Sequence, residues 1–85
     1  MMRMPIIDQI ATAKNIRALK DEQGRSARDI QRACCLETVQ SVYKWLYGQS
    51  LPSLDNLVVL AYLFKVPIDE IIVVRFIEIE LECGI

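Results

Sequence analysis

The chain contains no histidine, which removes the usual neutral-pH acid–base group and the commonest nitrogen ligand of zinc. Cysteine is scarce as well. Cys34 and Cys35 are neighbours and Cys83 stands alone, an odd count without the spacing of a disulfide framework or a metal element. This is the pattern of a reduced protein in which Cys34 fills core space. Glycine and proline number three each, leaving no glycine-rich phosphate loop, no repeat and no linker. No paired carboxylates and no activated nucleophile stand out, so neither an enzyme, a cofactor nor a metal is expected. The longest unbroken apolar run is 57–64, far short of the roughly 20 residues of a membrane span. Residues 1–10 are broken by Pro5 and Asp8 and lack the apolar stretch of a secretion signal. The cytoplasm is the expected location, with no membrane partner and no small-molecule ligand evident.

What is present is a globular composition: 85 residues, 53% hydrophobic and 25% charged, enough for one domain with a single modest core. The formal net charge of −1 is unevenly spread. Residues 14–47 carry seven cations (Lys14, Arg17, Lys20, Arg25, Arg28, Arg32 and Lys44) against four anions. From Gly48 onward two cations face six anions. A basic half and an acidic half suit binding a polyanion through one face, although an ordinary solvated surface gives the same tally.

Periodicity places the elements. Thr12 is read as the N-cap of a first helix that runs to about Gln23 with Ala13, Ile16 and Leu19 inward, and Gly24 as its stop. Ser26-Ala27-Arg28-Asp29 resembles a capping box for a short second helix with Ala27, Ile30, Ala33 and Cys34 inside. A turn through Cys35, Leu36 and Glu37 follows, and Thr38 is read as the cap of a third helix closed by Gly48. Val39, Val42, Trp45 and Leu46 form its apolar face; Gln40, Tyr43, Lys44 and Tyr47 form the opposite one. Ser53 caps a fourth helix to about Phe64, with Leu54, Leu57, Val58, Ala61 and Phe64 as its core stripe and apolar residues nearly all round. Pro67 suits the start of a short fifth helix over about 68–72. From Ile77 the pattern alternates: Ile77, Ile79 and Leu81 on one face, glutamates on the other, as in a strand. Its partner is either the segment 5–11 or the same strand of a second chain.

Two short helices joined by a tight turn, the second offering a polar face, match the geometry of a DNA-reading unit. The order of residues carries this further. Ile16-Arg17-Ala18-Leu19 precedes Gly24 and Ser26-Ala27-Arg28-Asp29-Ile30; then come Val42-Tyr43-Lys44-Trp45-Leu46-Tyr47-Gly48, Leu51-Pro52-Ser53-Leu54-Asp55-Asn56-Leu57 and Val66-Pro67-Ile68-Asp69-Glu70-Ile71-Ile72. Over about 13–73 the chain resembles the Cro and phage-repressor type of helix-turn-helix regulator. The resemblance implies an all-α, five-helix, lambda-repressor-like domain, to which the alternating residues add a C-terminal strand extension. It divides the chain into an N-terminal arm (1–11), the DNA-binding domain (12–73) and a strand or tail (74–85). It also implies double-stranded DNA as partner, a third helix (about 38–47) in the major groove and a homodimer on a palindromic site. By position, Val39, Gln40, Tyr43 and Lys44 then face bases, while Ser26, Arg28, Thr38, Gln49 and Ser50 lie near phosphates. Glutamine can pair with adenine, lysine with guanine, and valine can meet a thymine methyl.

The chain departs from the family pattern at three places, one of them a turn before the third helix that is one residue longer than usual and shifts the register of Val39 and Gln40. Ala27 stands where many relatives carry glutamine, and Cys35 where glycine often makes the turn. A left-handed conformation at Cys35 costs on the order of 1 kcal/mol. Trp45 reads as core rather than a stacking residue, and the arginines Arg17, Arg28 and Arg32 as either phosphate contacts or solvated surface. Two other functions stay open: a protein-interaction module of the same fold, antitoxin-like or anti-repressor, and a redox switch through the three cysteines. If the C-terminal strand pairs within its own chain, the apolar fourth helix is left to supply the dimer contact.

Overall fold

A computed structural model of the chain describes residues 2–80. The order is β1 (Met2–Ile7), α1 (Gln9–Glu22), α2 (Ala27–Ala33), α3 (Gln40–Leu46), α4 (Leu54–Phe64), a 3-10 turn (Ile68–Glu70) and β2 (Val74–Ile79). This is a small helical domain of four helices carrying a two-stranded antiparallel sheet, not an all-α, five-helix one. Pro67 opens only the 3-10 turn. A short helix is costly to nucleate, and the β-branched run Ile71-Ile72-Val73-Val74 favours extended backbone.

Asp8, not Thr12, starts α1: its Oδ1 accepts the Ala11 N–H at 3.0 Å. Thr12 lies buried within the helix, where its hydroxyl accepts the Val73 N–H at 3.0 Å. Together with the Asp8 N–H donating to Val73 O at 2.7 Å, this ties the root of the sheet to α1. Ser26 forms the capping box with Asp29, and Ser53 caps α4 by accepting the Asn56 N–H at 3.2 Å. Thr38 does not cap α3. The N-cap is Val39, whose backbone is already right-handed at φ −80°, and no side chain bonds to the first turn.

The four helices stop in one manner. Left-handed residues follow them at Gly24, Cys35, Gly48 and Lys65. The next N–H reaches back to a carbonyl of the last turn: Arg25 to Lys20 O, Leu36 to Gln31 O, Gln49 to Lys44 O and Val66 to Ala61 O. These are Schellman endings. Cys35, at φ 54°, and Lys65, at φ 59°, adopt the conformation without being glycine.

Ile16, Ile30, Val42, Trp45, Leu46, Leu57, Leu60, Phe64 and Ile71 form the core. Trp45 is therefore a packing residue. On α4 the buried stripe is Leu57, Leu60 and Phe64, while Leu54 and Val58, expected inside, are exposed beside Tyr62. An apolar helix does not announce which side faces inward; α2 packs against α4 and decides it.

The sheet stands apart. Residues 2–7, rather than 5–11, pair with β2 within the chain, because residues from Gln9 onward are taken into α1. Met2↔Ile79, Met4↔Ile77 and Ile6↔Arg75 share one face; Arg3↔Glu78, Pro5↔Phe76 and Ile7↔Val74 share the other. Leu81, Glu82 and Cys83 lie outside the described residues. The strands touch each other far more than any helix. The Cα radius of gyration is accordingly 15.0 Å, against about 12 Å for a compact chain of this length.

Candidate nucleic-acid interface

Helix α3 is held from behind. Val42, Trp45 and Leu46 are buried, and α1 clasps its C-terminal end. Arg17 Nη1 donates to Leu46 O at 2.7 Å, and Gln9 Nε2 donates to Gly48 O at 2.7 Å, satisfying carbonyls that a helix end leaves free. Gly48 takes φ 74° without strain; an added Cβ would meet the movable tip of exposed Ile10, Cδ1, at 2.7 Å and Ile10 Cα at 3.5 Å, so a side chain here costs chiefly through the backbone.

With one face anchored, the other faces solvent. Gln40, Tyr43, Lys44 and Tyr47 are all exposed. The two tyrosine rings stack, with centroids 6.3 Å apart and planes at 19°, which stiffens the C-terminal half of this face. Lys44 makes no ion pair among the described residues, so its charge is available. Of the expected base-facing residues, Gln40, Tyr43 and Lys44 lie together on this surface. Val39 is half-buried against the core at the helix start.

The expected phosphate-facing residues are more scattered. Arg28 is exposed on the first turn of α2, and Ser26 at its N-cap. Thr38 is exposed in the turn before α3; Gln49 is exposed and Ser50 half-buried in the loop after it. Ser26 is partly engaged, since its Oγ accepts the Asp29 N–H at 3.1 Å while Asp29 Oδ2 accepts the Ser26 N–H at 2.8 Å. The Ser26 N–H, its hydroxyl and the neighbouring Arg25 and Arg32 hold the Asp29 carboxyl below its ordinary pKa, against a smaller opposing effect of burial. A carboxylate thus sits at the start of α2, flanked by Arg25 and Arg32, while Arg28 is exposed on the same turn.

Sequence reasoning did not single out Lys20 and Arg25. Both line a cleft between α1, the start of α2 and α3, together with Arg17, Tyr43 and Tyr47. The signal was the concentration of cations over 14–47 and an arginine directly after Gly24. Cys34 and Cys35 do not line this cleft. Cys34 is half-buried and Cys35 exposed; burial, and secondarily Cys35, pushes the Cys34 thiol up, away from the reactive thiolate form.

No helix among the described residues is long and apolar enough to cross a membrane. No curated protein and no solved structure matches the chain. A family model described as helix-turn-helix matches residues 16–71, which takes in α1 from its second turn, all of α2, α3 and α4, and the 3-10 turn up to buried Ile71. With two thirds of its length matched and an anchored α3 offering a polar outer face, the chain belongs to the helix-turn-helix family of the Cro and phage-repressor type, a family of DNA-binding regulators.

Proposed function

We propose that the protein binds specific double-stranded DNA sequences as a cytoplasmic, non-enzymatic homodimer and regulates transcription by placing α3 in the major groove. The observation that carries this reading is the division of α3: Val42, Trp45 and Leu46 buried, Gln40, Tyr43, Lys44 and Tyr47 exposed. A reading helix must be held rigidly on one side and carry donors and acceptors on the other. Gln40 and Lys44, one turn apart, supply the pairing chemistry for adenine and guanine; Tyr43 and the outer part of Val39 supply apolar contact. Ser26, Arg28, Thr38, Gln49 and Ser50, spread over the start of α2 and the two ends of α3, serve the sugar-phosphate backbone.

A second copy is drawn to the sheet. An isolated two-stranded ribbon is marginal in water, and here Met2, Met4, Ile7, Val74 and Phe76 remain exposed. Pro5 takes one N–H donor out of β1, whereas β2 has no proline, so β2 is the edge better able to add a strand. On this reading the second copy adds at β2 rather than at α4, the surface expected to supply the contact once the strands pair within the chain. A monomeric mass by light scattering at tens of micromolar sinks the dimer.

The DNA reading is tested by fluorescence anisotropy on duplex DNA at about 50 and 200 mM salt. Binding that weakens steeply between the two supports it, and Gln40→Ala with Lys44→Ala abolishes sequence preference. One observation favours the protein-interaction alternative: Leu54, Val58 and Tyr62, spaced four apart on α4, are 73%, 54% and 87% exposed. A stoichiometric protein partner on purification, with no DNA affinity at low salt, selects that reading instead.

A further inference from the structure

The cleft behind the outer face of α3 has a volume of about 410 Å³ and carries three cations, Arg17, Lys20 and Arg25, against one carboxylate, Asp21. The cations are not equivalent. Arg17 already holds Leu46 O, and Lys20 lies 2.7 Å from exposed Asp21. Arg25 makes a single long bond, Nη2 to Leu63 O at 3.4 Å, and its Nε is buried without a partner. The buried Nε is out of an anion's reach, but apart from that one long bond the terminal nitrogens of this cleft-lining guanidinium have no partner among the described residues, which leaves donors for an anion. The stacked Tyr43 and Tyr47 line the same cleft, and phenolic hydroxyls donate well to phosphate oxygens.

We propose that this cleft receives a backbone phosphate of the duplex, held by Lys20 and Arg25 with the tyrosine hydroxyls. The proposal rests on the DNA-binding reading and adds to it a phosphate anchor that spans α1 and α3. Tyr43 lines the cleft and also belongs to the exposed face of α3, so an anion seated here lies immediately beside a duplex read by that face. The anchor supplies charge that α3 lacks, since Lys44 is its one cation. Entry of a phosphate displaces Asp21 from Lys20, an exposed pair worth little by itself.

The test measures the salt dependence of binding to mixed-sequence duplex by anisotropy, using the full chain, between about 50 and 200 mM. Each phosphate contact contributes a slope of about −0.9 in log affinity against log salt. Lys20→Gln combined with Arg25→Gln, shown to be folded by circular dichroism, should make the slope shallower by about 0.9, the contribution of one phosphate. The fourfold rise in salt then costs about three- to fourfold less affinity than in wild type, and the base preference of the bound site is retained. Asp21→Asn, an exposed change that leaves the fold alone, should tighten binding about two- to fivefold at low salt and decides the matter if the double variant does not fold. An unchanged slope in a folded double variant, or unchanged affinity in Asp21→Asn, overturns the anchor while leaving DNA binding in place. Wild type that binds no duplex at low salt overturns both. Inorganic phosphate that binds wild type but not the double variant, while the double variant keeps the wild-type salt slope on DNA, means a free-anion site and overturns the backbone assignment.

Discussion

The helical body and the two-stranded sheet are built from similarly apolar sequence, yet they stand in opposite relation to water. Ile30, Leu60 and Phe64 are essentially inaccessible, whereas Met2, Val74 and Phe76 are about half exposed. The helices solve their hydrogen bonding locally and bury their side chains against one another. The strands solve their hydrogen bonding against each other and then have nothing left to pack on. Hydrophobic content therefore forecasts stability only where the topology supplies a second layer. In the helical body apolar residues stabilise the fold; in the sheet they form a surface available to a partner.

The sharpest way to test this contrast is to remove equivalent apolar bulk from each region. Leu60→Ala, in the fully buried centre, should lose about 2–5 kcal/mol on urea unfolding, a large part of the 5–15 kcal/mol typical of a domain. A loss below 1 kcal/mol means that the core has been wrongly located. Gly48→Ala probes the seam between α1 and α3, placing a Cβ on a left-handed backbone beside the movable tip of Ile10; a loss of about 1 kcal/mol is expected. Cys35→Gly, at an equally left-handed turn with an exposed side chain, should move the other way, by up to about 1 kcal/mol of stabilisation. Backbone strain alone gives these opposite signs, since one change adds a Cβ at positive φ and the other removes one; a loss at Gly48 larger than the gain at Cys35 measures packing beyond strain.

On the sheet, Phe76→Ser with Ile77→Ser should change the unfolding free energy of dilute protein by only about 0.5 kcal/mol. The proposed dimer should dissociate in light scattering. If the variant instead unfolds, the sheet belongs to the cooperative body and the comparison fails. The smallest effect is that of Asp29. Its folded pKa is depressed, so its contribution is present above the ordinary carboxylate range and is lost as pH falls through the folded value. Asp29→Asn should remove that part of the acid sensitivity, seen as a shallower decline of the melting temperature toward low pH.

Local signals were reliable where one residue decides. Ser26 and Ser53 carry their caps in the side chain, Gly24 and Gly48 mark helix ends, and Trp45 with Val42 and Leu46 defines the inner face of α3. The signals failed where two local solutions competed. Thr12 is as good a cap on paper as Asp8, but its hydroxyl is claimed by Val73 from across the fold. Thr38 loses α3 to Val39, and Pro67 with its apolar followers yields to the strand beyond it. The outer face of α3 was legible from spacing alone. The cleft was not, since Lys20, Arg25 and Tyr47 come from three separate segments.

Sequence by itself determined that this is a single small helix-turn-helix domain, where its helices stop, and which polar residues share the face of α3, because these depend on spacing along one helix and on individual residues at its ends. Only the tertiary structure decided that the terminal strands pair within the chain, which side of the apolar α4 is buried, and that cations of α1 and α2 gather behind Tyr43 and Tyr47. Each of these is a relation between distant segments, set by which surfaces remain to be covered once the helices have packed.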